Sequence, residues 1–522
     1  MSSRYPYPAG RVQGPHPAVV SRRLHNLLLV LAGTLIPLVL GLAITLSSPT
    51  PEPVLVFGAM IGVVCVGALL ISTRYEITLT LLAVYLGMLD GPVKLEFVGR
   101  VSSALRDVLI IAVVGGMVMR LAARRQRTPL PPLSSWVIAF VLFVLVEALN
   151  PQTANVLKSI GGFRQQLEWV PFFFFGYMMI RSKKRFRQLF ILLGVIAAAN
   201  GVVGAIQAGE SPGQLANWGP GYAGLVHGGA EGSGITGRTY STGGEARARP
   251  PALGSDSGFG GGVGVIALPG LLALLAAGGL KRRWPVVLLS IGTLLAIATA
   301  ASRTSAVVAV VVLIGFAGLS LVTGVKVGRA FIVLVFVLLL ATVVGSVLIA
   351  ATGKGVLARQ ETLTSVSRVK ETGGGGKERA LSVIPSELVH APFGYGLGTA
   401  GAASGFGGKA PPQFEGERVT GGSVYNLLVK ELGFPGLMLW LGLTVNVLLL
   451  GLRRVGKVPD LELRTYLVAL VTGFGALTIE GFSGPTLAVT VGAFLWFVPG
   501  ALGYWIGTSR SPGLQPTALV ES

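Results

Sequence analysis

Apolar runs of about twenty residues recur along most of this chain, and they constrain its fold more than any other feature. Inside a hydrocarbon core no water pairs with backbone N–H and C=O groups, so a spanning segment must satisfy them within itself, as a helix does. Hydrophobic residues make up 52% of the 522 and charged residues 12%. The expectation is an all-α polytopic integral membrane protein in the lipid bilayer, with about 12–14 transmembrane helices and two large outer loops. Predicted spans cover 24–46, 54–71, 78–89, 105–119, 136–149, 170–180, 189–206, 263–280, 284–301, 306–322, 330–349, 434–450, 466–479 and 487–506. The third and the sixth are short for the task.

A net charge of +20 would point to nucleic acid in a soluble protein. Here the basic residues fall in alternate short loops, which is the pattern of cytoplasmic loops, and no nucleic-acid partner is expected. The basic groups are Arg22 and Arg23, Arg120 to Arg127, Arg181 to Arg187, Lys281 to Arg283, Lys326 with Arg329, and Arg453 to Lys457. Both termini are therefore predicted cytoplasmic, and the amino-terminal span is retained because no small-residue cleavage site follows a short apolar core. The division that follows is a basic tail (1–23), amino-terminal spans (24–206), a Gly-rich outer loop (207–262), central spans (263–351), a large outer loop (352–433), carboxy-terminal spans (434–506) and a second tail (507–522).

The lone Cys65 permits neither a disulfide nor a thiolate metal site, and of four histidines only His227 and His390 fall on the outer side. No metal and no cofactor are expected, and no nucleotide-binding fingerprint is present. The first outer loop, with Gly228, Gly229, Gly232, Gly234 and Gly260 to Gly262, reads as an adaptable connection, or alternatively as a lid over a substrate. The second is a long polar stretch from Thr352 to Gly421 that a polytopic protein does not need for its fold, so chemistry is expected there. Its centre, Lys377-Glu-Arg-Ala-Leu-Ser-Val-Ile-Pro385, reads as a short interfacial helix stopped by its proline.

Two motifs follow: His390-Ala-Pro-Phe-Gly394-Tyr-Gly396-Leu-Gly398, then Ser423-Val-Tyr425-Asn-Leu-Leu-Val-Lys-Glu431-Leu-Gly-Phe-Pro-Gly436. Together they resemble the O-antigen ligase and polymerase superfamily of bacterial membrane glycosyltransferases, over roughly residues 379–450. Gly161-Gly-Phe-Arg164 and Ala301-Ser-Arg303-Thr-Ser-Ala306 fit more loosely. One departure matters: where the ligase branch carries a histidine, eleven residues before the first glycine of the Gly-x-x-Gly ending, this chain has Gly422. That shifts the expectation toward the members that polymerise repeat units.

The resemblance implies transfer of a glycan from a polyprenyl-diphosphate carrier to an acceptor hydroxyl on the outer face of the bacterial plasma membrane. It also implies a chain-length regulator and a flippase as partners. Such chemistry needs cations for the leaving diphosphate and a base for the hydroxyl. Arg164, Arg303 and Arg379 are the cation candidates, because a guanidinium stays charged and presents a fork of donors that fits phosphate. Arg303 stands out, lying between two apolar spans on the side where positive charge is scarce. It could instead be an arginine snorkelling to the interface, and Arg164 could simply pair with Glu168 one helical turn on. His390 and Glu431 compete as the base, with Glu480 a further outer candidate, while Gly394 and Gly396 would let the backbone approach the substrate. Tyr425 could stack on a sugar or serve as an interfacial aromatic. A ligase differs from a polymerase only in its acceptor. A flippase or other transporter would instead place its polar residues at mid-membrane.

Overall fold

The computed structural model describes residues 75–96, 100–123, 130–153, 155–227, 239–242, 245–256, 258–277, 283–325, 332, 335–336, 339–340, 342–345, 381–405 and 422–507. The predicted spans 24–46 and 54–71, much of 330–349 and Arg379 lie outside the described residues. The chain divides into two compact units, residues 1–79 with 104–126 and residues 80–103 with 127–522. In the first, the described residues are the start of helix α1 (Tyr75–Val84) and most of helix α3 (Arg100–Ala123).

The second unit is a helical bundle with one short hairpin, β1 (Thr239–Thr242) against β2 (Glu245–Ala248). Its longer helices are α4 (Ser134–Glu147), α5 (Val156–Leu167), α6 (Pro171–Met179), α7 (Lys183–Gly209), α10 (Phe259–Ala277), α11 (Trp284–Thr299), α12 (Arg303–Val322), α14 (Val424–Arg454), α15 (Leu461–Glu480) and α16 (Gly492–Ile506). Shorter ones are α2 (Asp90–Glu96), α8 (Pro212–Ala216), α9 (Pro220–His227) and α13 (Ile384–His390). Among the described residues six helices are long and apolar enough to cross a membrane: Glu76–Glu96, Lys183–Gly209, Phe259–Ala277, Arg303–Val322, Val424–Lys457 and Leu461–Glu480. The chain is thus a membrane-embedded helical protein.

The short predicted spans resolve differently. The run around 78–89 lengthens to a full crossing, with a π-helical turn at Tyr85–Leu89. Asn200 of α7, fully buried, donates to the Gly87 carbonyl of that turn at 2.9 Å. The run at 170–180 stays short, since α6 has nine residues and reaches only about 13 Å at 1.5 Å per residue. It lies alongside α16, where a side chain on Gly176 would meet the Phe497 carbonyl and one on Gly500 the Phe173 carbonyl. Small residues at such a crossing let helix backbones approach closely.

Helix α10 is buried along nearly its whole length, packed against α7, α11, α12 and α15. Gly260 to Gly262, read from the sequence as loop, form its first turn, because a bare Cα is what fits there: a Cβ on Gly261 would lie 2.7 Å from Ser305 Oγ. Gly228, Gly229, Gly232 and Gly234 lie outside the described residues, while residues 252 and 253 of the first loop are tied back to α7. Gln207, 2% exposed at the end of α7, accepts from Ala252 N at 2.8 Å and donates to Ala252 O at 3.1 Å, and Leu253 N donates to Asn200 at 3.0 Å.

The helix ends sort into two groups. At one end Lys183 of α7 pairs with Asp460 at 2.8 Å, Tyr466 donates to Glu462 at 2.6 Å, and Arg187 pairs with the same Glu462. There too Arg464 donates to Thr323 O at 2.8 Å, and Arg454 to Ile506 O at 3.2 Å. At the other end Val424 N donates to Gly481 O at 2.9 Å and Ser305 Oγ to Glu480 at 3.2 Å. The basic groups around Lys183 and Arg453 thus share an end remote from residues 423–436. Single-cysteine labelling in a Cys65-free protein is expected to report positions 183, 281 and 453 from the cytoplasm and 228 and 409 from outside. Labelling of position 409 from the cytoplasm would overturn that orientation.

Candidate functional site

The two motifs that carry the resemblance meet at the second of those ends, and α5 joins them. Asn155 caps α5 by accepting from Lys158 N at 2.9 Å. Gly161 and Gly162 give the helix a smooth face: a Cβ on Gly162 would run into the backbone of Gly398. After α13 the chain turns through Gly394 (φ 80°), Gly396 (φ 88°) and Gly398 (φ 75°) and closes in a 3-10 turn at Gly401–Gly405.

Helix α14 begins with Ser423 accepting from Asn426 N at 3.0 Å and breaks at Gly433, whose φ of 60° and ψ of −154° only glycine adopts readily. The backbone groups freed by the break are taken up by the glycine turn. Tyr395 N donates to Lys430 O and Phe434 N to Pro392 O, both at 2.7 Å.

Glu431 holds this assembly together. It is fully buried, and its Oε1 accepts from Gln165 Nε2 at 3.1 Å, Gly398 N at 3.1 Å and Ala400 N at 3.3 Å. Its Oε2 accepts from Gln166 Nε2 at 2.7 Å. A buried carboxylate is costly unless it is well supplied with donors, and four donors from α5 and the turn offset that cost. Gln165 also accepts from Ala403 N at 3.1 Å and donates to Ala400 O at 3.2 Å, whereas Gln166 Oε1 is buried and has no hydrogen-bond partner.

Lys158, also without exposure, donates to Ser404 O at 2.6 Å, and burial lowers its pKa. Glu387 of α13 lies 3.9 Å from Lys430. Burial, reinforced by the hydrogen bond to Glu387, pushes the Tyr395 hydroxyl up to about 12. The sequence reading missed Lys158, Gln165, Gln166 and Glu387. The available signal was the Gln165-Gln166 pair directly after Gly-Gly-Phe-Arg164, two amides at the mouth of an aromatic run.

The predicted site residues fare differently. Glu431 is fully buried, and its four hydrogen bonds all run to α5 and the glycine turn. Tyr425 is 6% exposed, donates to Thr478 O at 3.1 Å and packs its ring 4.3 Å from that of Phe482. It is therefore closed to a sugar, and Phe482, 48% exposed, is the open aromatic of the pair. His390 ends α13 exposed, with Nδ1 2.7 Å from Ser386 O. Since a carbonyl only accepts, Nδ1 carries the proton and Nε2 is left as the basic nitrogen.

Arg164 is half-buried on α5 and already engaged with neighbours. Arg303 opens α12, half-buried, with an Nε that is out of solvent and has no hydrogen-bond partner. Of the predicted helix over 377–385, residues 377–380 lie outside the described residues, Leu381 and Ser382 are helical and Val383 is a turn; Pro385 occupies the first turn of the next helix, α13, where its missing N–H costs nothing. Among the described residues no group of three His, Cys, Asp or Glu could hold a metal ion.

Comparison of the chain with protein-family models, with curated proteins and with solved structures found no match.

The interlocked backbone yields one prediction. At Gly398 an alanine would adopt a left-handed φ and press its Cβ into the Lys158 carbonyl. Gly398→Ala is expected to destabilise by at least about 2 kcal/mol. The check is a lowered thermal unfolding midpoint in detergent, against no measurable change for alanine at Gly213, around which nothing lies within 4 Å.

Proposed function

We propose that this protein is a membrane glycosyltransferase that joins repeat units carried on polyprenyl diphosphate, at the bundle end where the glycine turn, the first half of α14 and the start of α12 lie. The observation that carries this reading is the mutual clasp of the two resembling motifs: residues 390–398 and 423–436 are bonded to each other through Tyr395, Phe434 and Glu431. Such investment in one polar site at a helix-bundle end is expected of a reaction centre and exceeds what span packing needs. Arg303, bringing a partly buried guanidinium to the same end, suits a diphosphate leaving group.

The test is the glycan of a deletion strain. Single repeat units accumulating on the lipid carrier at the outer face are the expected result. Finished polymer left on its carrier would make the protein a ligase, and units held at the cytoplasmic face a flippase.

A further inference from the structure

Building on that transfer reading, we infer that Glu480 and Phe482 form the acceptor subsite, with Glu480 taking the proton of the attacking sugar hydroxyl beside the Arg303 that holds the diphosphate. Glu480 is the last residue of α15, and Arg303 is the first of α12. A short hydroxyl chain connects them: Ser305, two residues on from Arg303, donates to Glu480 Oε1 at 3.2 Å and lies 3.1 Å from the Oγ of Ser302, the α12 cap. Because Ser305 has one proton to give, donation to Glu480 leaves Ser302 to donate to Ser305, and the carboxylate is fixed in orientation. An ionised carboxylate accepts at several positions, so this bond aims the group without using up its basicity.

The turn that follows is equally fixed. Ser483 N and Ser483 Oγ both donate to Glu480 O at 2.9 Å, and Gly481 O receives the Val424 amide of α14. Phe482 thereby stands half out of the protein, with its inner side backed by buried Tyr425. An aromatic face held this way, two residues from a carboxylate, matches the apolar C–H face of a pyranose ring with a hydroxyl at its edge. Glu431 is fully enclosed, whereas Glu480 is half-buried, its Oε2 turned out of solvent.

In the step this arrangement supports, the acceptor O–H proton passes to the Glu480 carboxylate while the oxygen lone pair forms the bond to the anomeric carbon. The bond from that carbon to the diphosphate oxygen breaks, and its electron pair leaves with the lipid diphosphate, which Arg303 stabilises. Glu480 then returns the proton to water.

The experiment uses full-length protein in lipid nanodiscs and lipid-linked glycan extracted from the membranes of a deletion strain, with product length read on gels. Glu480→Gln is expected to lower the maximal rate by about a hundredfold or more, the usual range for a lost general base. Glu480→Asp, which keeps the carboxylate, is expected to retain more activity than Gln. A purely structural Glu480 would give the opposite order, because Gln is its closest match in shape.

Phe482→Ala is expected to raise the half-saturating substrate concentration about two- to tenfold, with Trp restoring it. Glu480→Gln within threefold of the native rate overturns the subsite. So does Asp falling below Gln, or a folded His390→Ala that alone loses turnover. Native protein that extends no glycan overturns the transfer reading itself, and that outcome is visible before any variant is made.

Discussion

Glu431→Ala is expected to unfasten the glycine turn. The substitution would strand three buried donors, the amides of Gly398 and Ala400 and the side chain of Gln166, and would take from Gln165 one of the two acceptors of its Nε2. Each stranded group costs about 1–3 kcal/mol, so the loss is on the order of 4 kcal/mol or more. The readouts are a lower unfolding midpoint and new protease cleavage within residues 391–405.

Glu431→Gln should be far milder, for a specific reason. Gln166 Oε1 has no partner, so its amide can turn over and accept from the new NH2 while the remaining oxygen keeps Gln165, Gly398 and Ala400. If Glu431 holds the turn, the glutamine variant stays folded and active. A folded but inactive Glu431→Gln would return the carboxylate to the list of reacting groups.

Arg303→Ala is expected to lower transfer by about a hundredfold or more, since a charge-assisted contact to a diphosphate is worth several kcal/mol in the transition state. Arg303→Lys should recover only part of that loss, because an ammonium keeps the charge but not the fork of donors. Both variants should insert normally, as the α12 start is already capped by Ser302, which accepts from Ser305 N at 3.3 Å. Normal polymer from Arg303→Ala at normal expression would remove Arg303 from the reaction and leave Arg164 and Arg379 to be tested.

Much of the architecture was legible because lipid enforces it. Every predicted span that falls on described residues contains a helix, although the last begins only at Gly492, after turns over 487–491, and the aromatic run at 170–180, whose shortness was visible, forms a helix of nine residues. Gly260 to Gly262 misled because composition alone does not distinguish a glycine that loosens a loop from one that admits a neighbouring helix. Glu431 was found by its motif, but the motif could not say whether it faced substrate or protein. That depended on Gln165 and Gln166, more than 260 residues away in sequence, whose amides carry no periodic signal. That Tyr425 lies inside and Phe482 outside was not legible for a similar reason: which of two stacked rings is outermost is decided by the turn after α15.

The separation between α5 and its partners also sets a timetable for biosynthesis. Lys158, Gln165 and Gln166 leave the ribosome 246, 266 and 265 residues ahead of Ser404 and Glu431, the groups that satisfy them. At ordinary synthesis rates that is an interval on the order of tens of seconds. During it, a charged and amide-bearing helix must wait beside the bilayer with its polar face unclaimed. The synthesis of the chain from Lys158 to Glu431 is thus the interval of greatest exposure to membrane quality control, and a truncation just before Ser423 should be cleared faster than one just after Gly436.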